Sequence, residues 1–177
     1  LQKEVIQYLD PQPGENFIDC TIGEGGHSFA IAEMISPNGK MLGIDWSTEL
    51  IQELKLKIQS SKFKNSFILV CENFANVKDI VEKYKFGPVS GILLDLGMSS
   101  WHLEESHRGF SFRKNEPLDM RYSLENPLTA QEIINKWPRE EIERILKEFG
   151  EERFSVRVAK QIVKERAVRP IKSTFQL

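Results

Sequence analysis

The chain is poor in cysteine, has no long apolar run and carries almost no net charge, and each shortage excludes a class of protein. Its two cysteines, Cys20 and Cys71, lie in apolar runs and argue against a zinc site, so we predict no metal and a reducing, cytoplasmic compartment. No apolar run approaches the ~20 residues that span a membrane, and no signal peptide is visible. A net charge of −2 excludes a basic surface over the whole chain, so any nucleic-acid contact must be local.

What is present fits a globular domain. The 177 residues, of which 40% are apolar and 28% charged, suit one domain or one domain with a small appendage. Because Leu1 is not a methionine, we expect the natural N-terminus to lie upstream. A targeting segment would lie there too, so the sequence does not separate a bacterial cytoplasm from an organelle.

Short apolar runs alternate with helical patterns through the first hundred residues. This alternation is typical of an α/β protein, a parallel sheet with helices on both faces. Right-handed crossovers would place the carboxyl ends of the strands along one rim, where ligands bind beside the first strand. The predicted strands cover residues 17–21, 40–45, 66–71 and 90–96.

A glycine-rich loop follows the first predicted strand. Gly23, Gly25 and Gly26 fall within four residues. Glycine tolerates positive φ and has no Cβ, so the backbone can approach a ligand, and the next helix points its positive end at the same place. Taken alone, the loop fits a nucleotide-type ligand and a purely structural turn equally well.

The neighbouring acids indicate which ligand the loop would take. Asp45 closes the second strand, 22 positions after Gly23, where it can accept both hydroxyls of a ribose or simply cap a turn. Dinucleotide loops need a third glycine where this chain has Ser28. Asp19 and Glu24 would repel a pyrophosphate but attract the sulfonium and ammonium of S-adenosylmethionine. A nicotinamide-dependent oxidoreductase built on the same loop is the alternative.

Asp95, at the end of the fourth predicted strand, is the candidate catalytic residue. Its carboxylate could bind the ammonium of a methyl donor, or accept a hydrogen bond from an attacking base amine whose lone pair is delocalised. It could also merely cap the loop that follows. His27 and His102 stay open between hydrogen-bonding and catalytic roles.

The chain changes character after Gly97. Residues 98–128 form a long irregular stretch, and helices are predicted over 129–136, 138–149 and 151–166. Within the stretch, Arg108, Phe110, Phe112 and Arg113 interleave aromatic and cationic side chains. Such side chains can stack on an unpaired base and hold its phosphates, or the two phenylalanines can anchor the loop to a core.

One face of the last predicted helix carries cations only. Arg153, Arg157, Lys160 and Lys164 follow spacings of four, three and four. A charged stripe of this kind is often only a solvated face. Because its sign is single in a slightly acidic chain, an RNA-backbone contact stays open beside that interpretation.

These motifs resemble the bacterial-type ribosomal small-subunit (16S) RNA (cytosine-N4)-methyltransferases, over essentially all 177 residues. The first motif is a variant of a general cofactor loop, whereas the last three together are specific to that family. The motifs cover residues 19–27, 43–45, 91–100, 108–113, 117–121 and 150–154.

The resemblance implies an S-adenosylmethionine-dependent enzyme that methylates the N4 amine of a cytosine in the decoding region of ribosomal RNA. Its partner would be that RNA or the assembled small subunit. The implied fold is a Rossmann-like class I methyltransferase domain, residues 1–112, followed by the start of an inserted helical domain, residues 113–177. The later strands of that fold are absent here, which indicates a fragment; a decayed, non-catalytic RNA-binding remnant is the alternative.

The resemblance also assigns roles to individual residues. His102 stands where the family usually has a glutamine. The implied cofactor contacts are Gly25, Gly26, His27, Asp45, Phe74, Asp95 and His102. The RNA candidates are Arg108, Phe110, Phe112, Arg113, Arg121, Arg153 and Arg157.

Overall fold

Four parallel strands alternate with helices in the first half of the chain, and helices alone follow in the second. The computed structural model describes residues 1–177, which divide into two units, Leu1–Gly97 and Met98–Leu177. The first unit contains α1 (Gln2–Leu9), β1 (Asn16–Asp19), α2 (Gly26–Ile35), β2 (Lys40–Asp45), α3 (Thr48–Gln59), β3 (Phe67–Cys71), α4 (Val77–Tyr84) and β4 (Gly91–Leu93). The second contains α5 (Ser100–Glu104), α6 (Ala130–Lys136), α7 (Arg139–Glu148) and α8 (Ser155–Val168).

The sheet has the order β3-β2-β1-β4, and every pair of neighbours is parallel. This is the order of the first half of a doubly wound, Rossmann-like sheet. The chain adds β2 and β3 on one side of β1 and then crosses to add β4 on the other. The crossing point therefore lies at the carboxyl end of β1, where such sheets bind ligands.

Alternation along the strands builds a core on each face of the sheet. Phe17 and Met41 pack with Ile31 and Ile35 of α2 on one face. On the other face, the cluster contains Ile80 of α4 together with residues of β1, β2 and β3. Burying each such side chain stabilises the fold by about 1.5–3 kcal/mol. The strands are therefore held rigidly beneath the loops at their carboxyl ends.

The fourth strand is shorter than the sequence predicts: it covers Gly91–Leu93, not residues 90–96. The reason is its position at the edge of the sheet, where β1 is its only neighbour. The last backbone bond between the two runs from the Cys20 N–H to the Leu93 carbonyl at 2.9 Å. Asp95 therefore lies beyond the strand, in the loop that follows it.

The second unit is organised around the hairpin of α7 and α8. Ile142 and Ala159 are fully buried there and pack with Leu118, Ile162 and Ile171. The last helix begins at Ser155, later than predicted, because the Glu152 carboxylate accepts the N–H of Phe154 at 2.7 Å. No helix in either unit has the length and apolar character that crossing a membrane requires.

The boundary between the units lies after Gly97, whereas the sequence places it after residue 112. Residues 98–112 belong to the helical unit because they bond to the segment that follows them. The Gly109 N–H donates to the Glu116 carboxylate at 3.0 Å, and the Arg108 carbonyl accepts the N–H of Met120 at 2.7 Å. The short helix α5 also lies in this stretch, which the sequence predicts as irregular.

Candidate cofactor site

The glycine loop connects β1 to α2 in a conformation that other residues rarely adopt. Gly23 and Gly25 have φ values of 50° and 85°. A Cβ at Gly25 would also lie 2.9 Å from the Leu54 side chain, so glycine is needed there for packing as well. At Gly26, the first residue of α2, an added Cβ would meet nothing within 4 Å. The loop thus presents open backbone at the start of a helix.

Asp45 ties this loop to the end of the second strand. Its Oδ2 accepts the N–H of Gly23 at 2.9 Å, and its Oδ1 accepts the N–H of Ser47, the N-cap of α3, at 2.9 Å. The turn-capping role that the sequence left open is therefore present. Each carboxylate oxygen keeps a second lone pair, so a ribose hydroxyl can still be accepted.

Ser28 replaces the third glycine of a dinucleotide loop for a reason that only the structure reveals. It is completely buried, and its hydroxyl donates to Asp19 Oδ2 at 2.7 Å. Asp19 Oδ1 accepts the N–H of Thr21 at 3.1 Å. Burial raises the pKa of Asp19, while the bonds from Ser28 and Thr21 act in the opposite direction. Asp19 is thus a structural anchor under the loop.

Asp95 and His27 face each other across the carboxyl end of the sheet. His27 Nε2 lies 3.4 Å from Asp95 Oδ2, and the Asp95 side chain is 54% exposed. The backbone N–H of Asp95 donates to Thr21 Oγ1 at 2.8 Å. The Asp95 carboxylate is therefore held at the rim and open to a ligand. Thr21 was missed by the sequence reasoning, because no local pattern links it to a residue so distant in the chain.

Phe74 lies at the end of the third strand, on the same rim. It begins a short 3-10 helix, Phe74–Asn76, whose first turn is capped by Asn73 through the N–H of Ala75 at 2.9 Å. The neighbouring strand end pairs Cys71 with Asp45. The Phe74 ring is partly exposed. An aromatic surface therefore lies three residues beyond the partner of Asp45, and the resemblance assigns this ring to the adenine.

His102 differs from the other cofactor candidates because it is enclosed within the second unit. Its side chain is 3% exposed, and Nδ1 lies 2.8 Å from Ser99 Oγ. The ring packs against Phe110 and Tyr122, with centroid distances of 5.1 and 4.6 Å. These contacts give the ring a structural role at the start of the second unit.

Three of the RNA candidates make contacts within the second unit. Arg108 is buried and donates to the carbonyls of Arg121 and Tyr122, and Phe110 is buried beside it. Arg121 makes a two-pronged contact with Asp119, at 2.8 and 2.7 Å, which lowers the pKa of Asp119. As placed, these side chains hold the loop together, with Arg108 and Phe110 buried and Arg121 partly buried.

The remaining RNA candidates are exposed. Phe112 is 86% exposed and Arg113 lies beside it. Arg153 and Arg157 are exposed at the start of α8, and neither has an ion pair or hydrogen bond from its guanidinium. On α7, in contrast, Arg139 and Arg144 are paired with glutamates of the same helix.

Comparison with known proteins places these features in a family. The chain is 39% identical over its whole length to "Ribosomal RNA small subunit methyltransferase H" of Symbiobacterium thermophilum, and 45% identical over 175 residues to the protein of that name from Dehalococcoides mccartyi. It covers 55% and 49% of those two proteins, so it spans about half the length of the curated relatives it matches.

Among solved structures, a SAM-dependent O-methyltransferase from Thermotoga maritima aligns at 15% identity with a TM-score of 0.40, over 42% of this chain and 28% of its own. The model of the MraW methylase family matches residues 1–177, from the first helix through the glycine loop to the last residue of the helical unit. The chain therefore belongs to the MraW methylase family.

Proposed function

We propose that the chain serves S-adenosylmethionine-dependent methylation of small-subunit ribosomal RNA, at the N4 amine of a cytosine. The observation that carries the proposal is the meeting of the glycine loop, Asp45 and Asp95 at the carboxyl end of β1, where the strand order reverses. The names of the relatives, which are ribosomal RNA small subunit methyltransferases, support the substrate class.

The residues at this rim fit S-adenosylmethionine better than a dinucleotide. Residues 19–28 contain the exposed acid Glu24 and no lysine or arginine that could bind a pyrophosphate. Gly25 and Gly26 would bring backbone close to the ligand, and Asp45 would accept the ribose hydroxyls. Phe74 would flank the adenine, while His27 and Asp95 lie together on the opposite side of the loop.

When bound, the sulfonium would supply a methyl group already activated toward a nucleophile. The protein then has to align the amine with that methyl group, and alignment can contribute several orders of magnitude in rate. Asp95 would accept a hydrogen bond from one N–H of the cytosine amine, which localises the nitrogen lone pair for attack. When the methyl group moves from sulfur to nitrogen, the amine would lose this proton to Asp95 or to solvent. The same carboxylate could instead hold the ammonium of the cofactor, and its exposure at the rim serves either role.

The RNA would lie along the cationic surface of α8, which we define as Arg157, Lys160 and Lys164 on the helix together with Arg153 just before it. From residue 153 to residue 172, the chain carries seven lysines and arginines and a single acid, Glu165. The buried side of the helix, with Ala159 and Ile162, directs these cations outward. Phosphates are the partners that exposed, unpaired guanidinium and ammonium groups favour. Phe112 and Arg113 would add a stacking contact to an unpaired base.

Calorimetric titration with S-adenosylmethionine and with NAD tests the cofactor. We expect binding of the first and none of the second, and the reverse result would favour the oxidoreductase. Transfer of a labelled methyl group to small-subunit RNA or to isolated subunits, followed by nucleoside analysis, tests the reaction. RNA binding without methyl transfer would favour the non-catalytic remnant.

A further inference from the structure

The backbone path at the ends of β1 and β4 explains how Asp95 is held. In an unbroken parallel ladder, the residue whose N–H bonds to Leu93 would accept the N–H of Asp95 with its own carbonyl. That residue is Cys20, whose N–H does bond to Leu93 at 2.9 Å. The Asp95 N–H bonds instead to the side-chain hydroxyl of Thr21 at 2.8 Å.

The change of acceptor coincides with a change of direction in the chain. Beyond Cys20 the chain turns toward the second strand, because the N–H of Ile22 donates to the Ile44 carbonyl at 3.0 Å. The backbone pairing of β1 with β4 ends at this point, beside the glycine loop. Thr21 reaches Asp95 with its hydroxyl. The side chain therefore continues the ladder where the backbone no longer can.

Thr21 is itself held in place by hydrogen bonds to buried residues. Its N–H donates to the buried carboxylate of Asp19, whose other oxygen accepts the hydroxyl of Ser28 in α2. A threonine side chain is also stiff at χ1, because both heavy atoms on Cβ restrict its rotation. The oxygen that Asp95 meets is thus fixed by the first strand and by the helix that follows the loop.

We infer that Thr21 is a positioning residue for Asp95: its hydroxyl sets the place of the Asp95 backbone, and hence of the carboxylate that faces the cofactor and the target amine. The inference rests on the proposed function for the role of that carboxylate. The bond itself, and its effect on the Asp95 backbone, do not depend on it. His27 Nε2, 3.4 Å from Oδ2, adds an electrostatic contact to the carboxylate from the other side of the loop.

The test compares Thr21→Val, which keeps the shape and removes the acceptor, with Thr21→Ser, which keeps the acceptor. Thr48→Val is the matched control, since Thr48 is an exposed threonine of the same rim whose hydroxyl contacts Cys71 Sγ. Hydrogen exchange of the Asp95 amide, followed by NMR in the 177-residue chain without cofactor, reports the bond. We expect exchange to quicken about tenfold in T21V and to stay within about threefold in T21S and T48V.

Calorimetric titration with S-adenosylmethionine gives the second measurement. We expect T21V to weaken binding about tenfold and T21S to recover most of it. In the Asp95→Asn background, T21V should add much less than its own tenfold, because the two changes disturb one arrangement. Melting temperatures of the variants show whether each one folds.

Different results would overturn different statements. An Asp95 amide that exchanges equally in T21V and in the unsubstituted chain would overturn the positioning role. A loss of binding in T21V that persists undiminished beside Asp95→Asn would also overturn it, because Thr21 would then act through another group. Failure of the unsubstituted chain to bind S-adenosylmethionine would overturn the proposed cofactor, while the amide exchange would still decide the role of Thr21.

Discussion

At the scale of single residues, the site depends on side chains that anchor the backbone as much as on those that face a ligand. Ser28 and Asp19 form a buried pair beneath the glycine loop, and Asp45 binds two backbone N–H groups at its edge. The sequence predicts the cofactor-binding role of Asp45 and the glycines because a loop of this type is recognised from residues close together in the chain. It does not predict the role of Ser28, since a serine in that position could equally lie exposed on the surface of a helix.

Replacing Ser28 by alanine tests the anchor. Because the buried Asp19 carboxylate would lose its hydroxyl donor, we expect Ser28→Ala to destabilise the first unit by about 1–3 kcal/mol at pH 7. Burial already raises the folded-state pKa of Asp19 above its ordinary value of 3.8, so the folded state holds the proton more tightly. Stability from this group is therefore greatest below pH 3.8 and is lost as pH rises through the folded pKa.

Removing the Ser28 donor should raise the folded-state pKa of Asp19 further. The stability that protonated Asp19 contributes should then be lost over a wider pH range. Urea unfolding of both proteins between pH 4 and pH 7 measures the difference. Ser36→Ala is the control, because the Ser36 hydroxyl donates to a helix carbonyl and not to an acid. An equal effect of Ser28→Ala at all pH values would contradict the assignment of the loss to Asp19.

The two cysteines give a second prediction at this scale. Cys20 is 3% exposed, and burial raises its pKa to about 11, whereas Cys71 is exposed at the end of the third strand. Since the thiolate is the reactive form, iodoacetamide at pH 8 should modify Cys71 and leave Cys20 intact until the chain unfolds. Mass spectrometry of the native chain gives the site. In Cys71→Ser, modification of the native chain should be negligible, and rapid labelling of Cys20 would show that the first unit opens readily.

At the scale of elements, periodicity predicts the interior of each helix and strand better than its ends. The bounds of β2 agree with the sequence, because apolar spacing and turn residues coincide there. The bounds differ at β1, which ends at Asp19 and not at residue 21, and at β4, which has no backbone partner beyond Leu93. They also differ at α8, which begins later because the Glu152 carboxylate accepts the N–H of Phe154. Ends depend on hydrogen-bond partners that apolar spacing does not specify.

The loop that precedes α6 supplies the prediction for this scale. Arg121 joins Asp119 to the carbonyls of Leu124 and Asn126, so it closes the loop as a single structure. Arg121→Lys keeps the charge but loses the two-pronged geometry, and we expect a loss of about 1–3 kcal/mol in the stability of the second unit. Urea unfolding measures the loss of stability, and limited proteolysis within residues 105–128 shows whether the loop opens.

The same variant has a defined pH dependence. Arg121 lowers the folded-state pKa of Asp119 below 3.8, so the stability of this pair is present above pH 3.8 and is lost as pH falls through the lowered value. Arg121→Lys should therefore reduce the loss of stability in acid. Arg113→Lys is the control, since Arg113 is exposed and its side chain makes no hydrogen bond or ion pair. If Arg113→Lys destabilised the unit equally, the effect would not belong to the Arg121 contacts.

At the scale of the whole molecule, charge is distributed unevenly although its sum is close to zero. The arginines of α7 are neutralised by glutamates on the same helix, whereas the cationic surface of α8 has no such partners. Because of this contrast between the two helices, we propose that the cationic surface of α8 binds RNA.

Salt dependence of RNA binding separates the two helices. For the double variant Arg153→Gln/Arg157→Gln, we expect weaker binding to a single-stranded decoding-region RNA, with the slope of log K against log[salt] reduced by about 1.4 if each arginine meets one phosphate. Fluorescence anisotropy over a range of KCl concentrations provides the slopes. The matched control is Arg139→Gln/Arg144→Gln on α7, which should leave the slope unchanged. Equal slopes for the two double variants would place the RNA elsewhere.

The sequence by itself determined the alternating α/β pattern, the glycine loop, the acids at the strand ends and the motifs that identify the family, because each is written in neighbouring residues. Only the tertiary structure decided which polar side chains are free. It buried Arg108, paired Arg121 with Asp119, and joined Thr21 to Asp95 across 74 positions of sequence. Such contacts depend on where the crossovers bring distant backbone together, and the crossing of the chain from one side of β1 to the other is a property of the folded sheet.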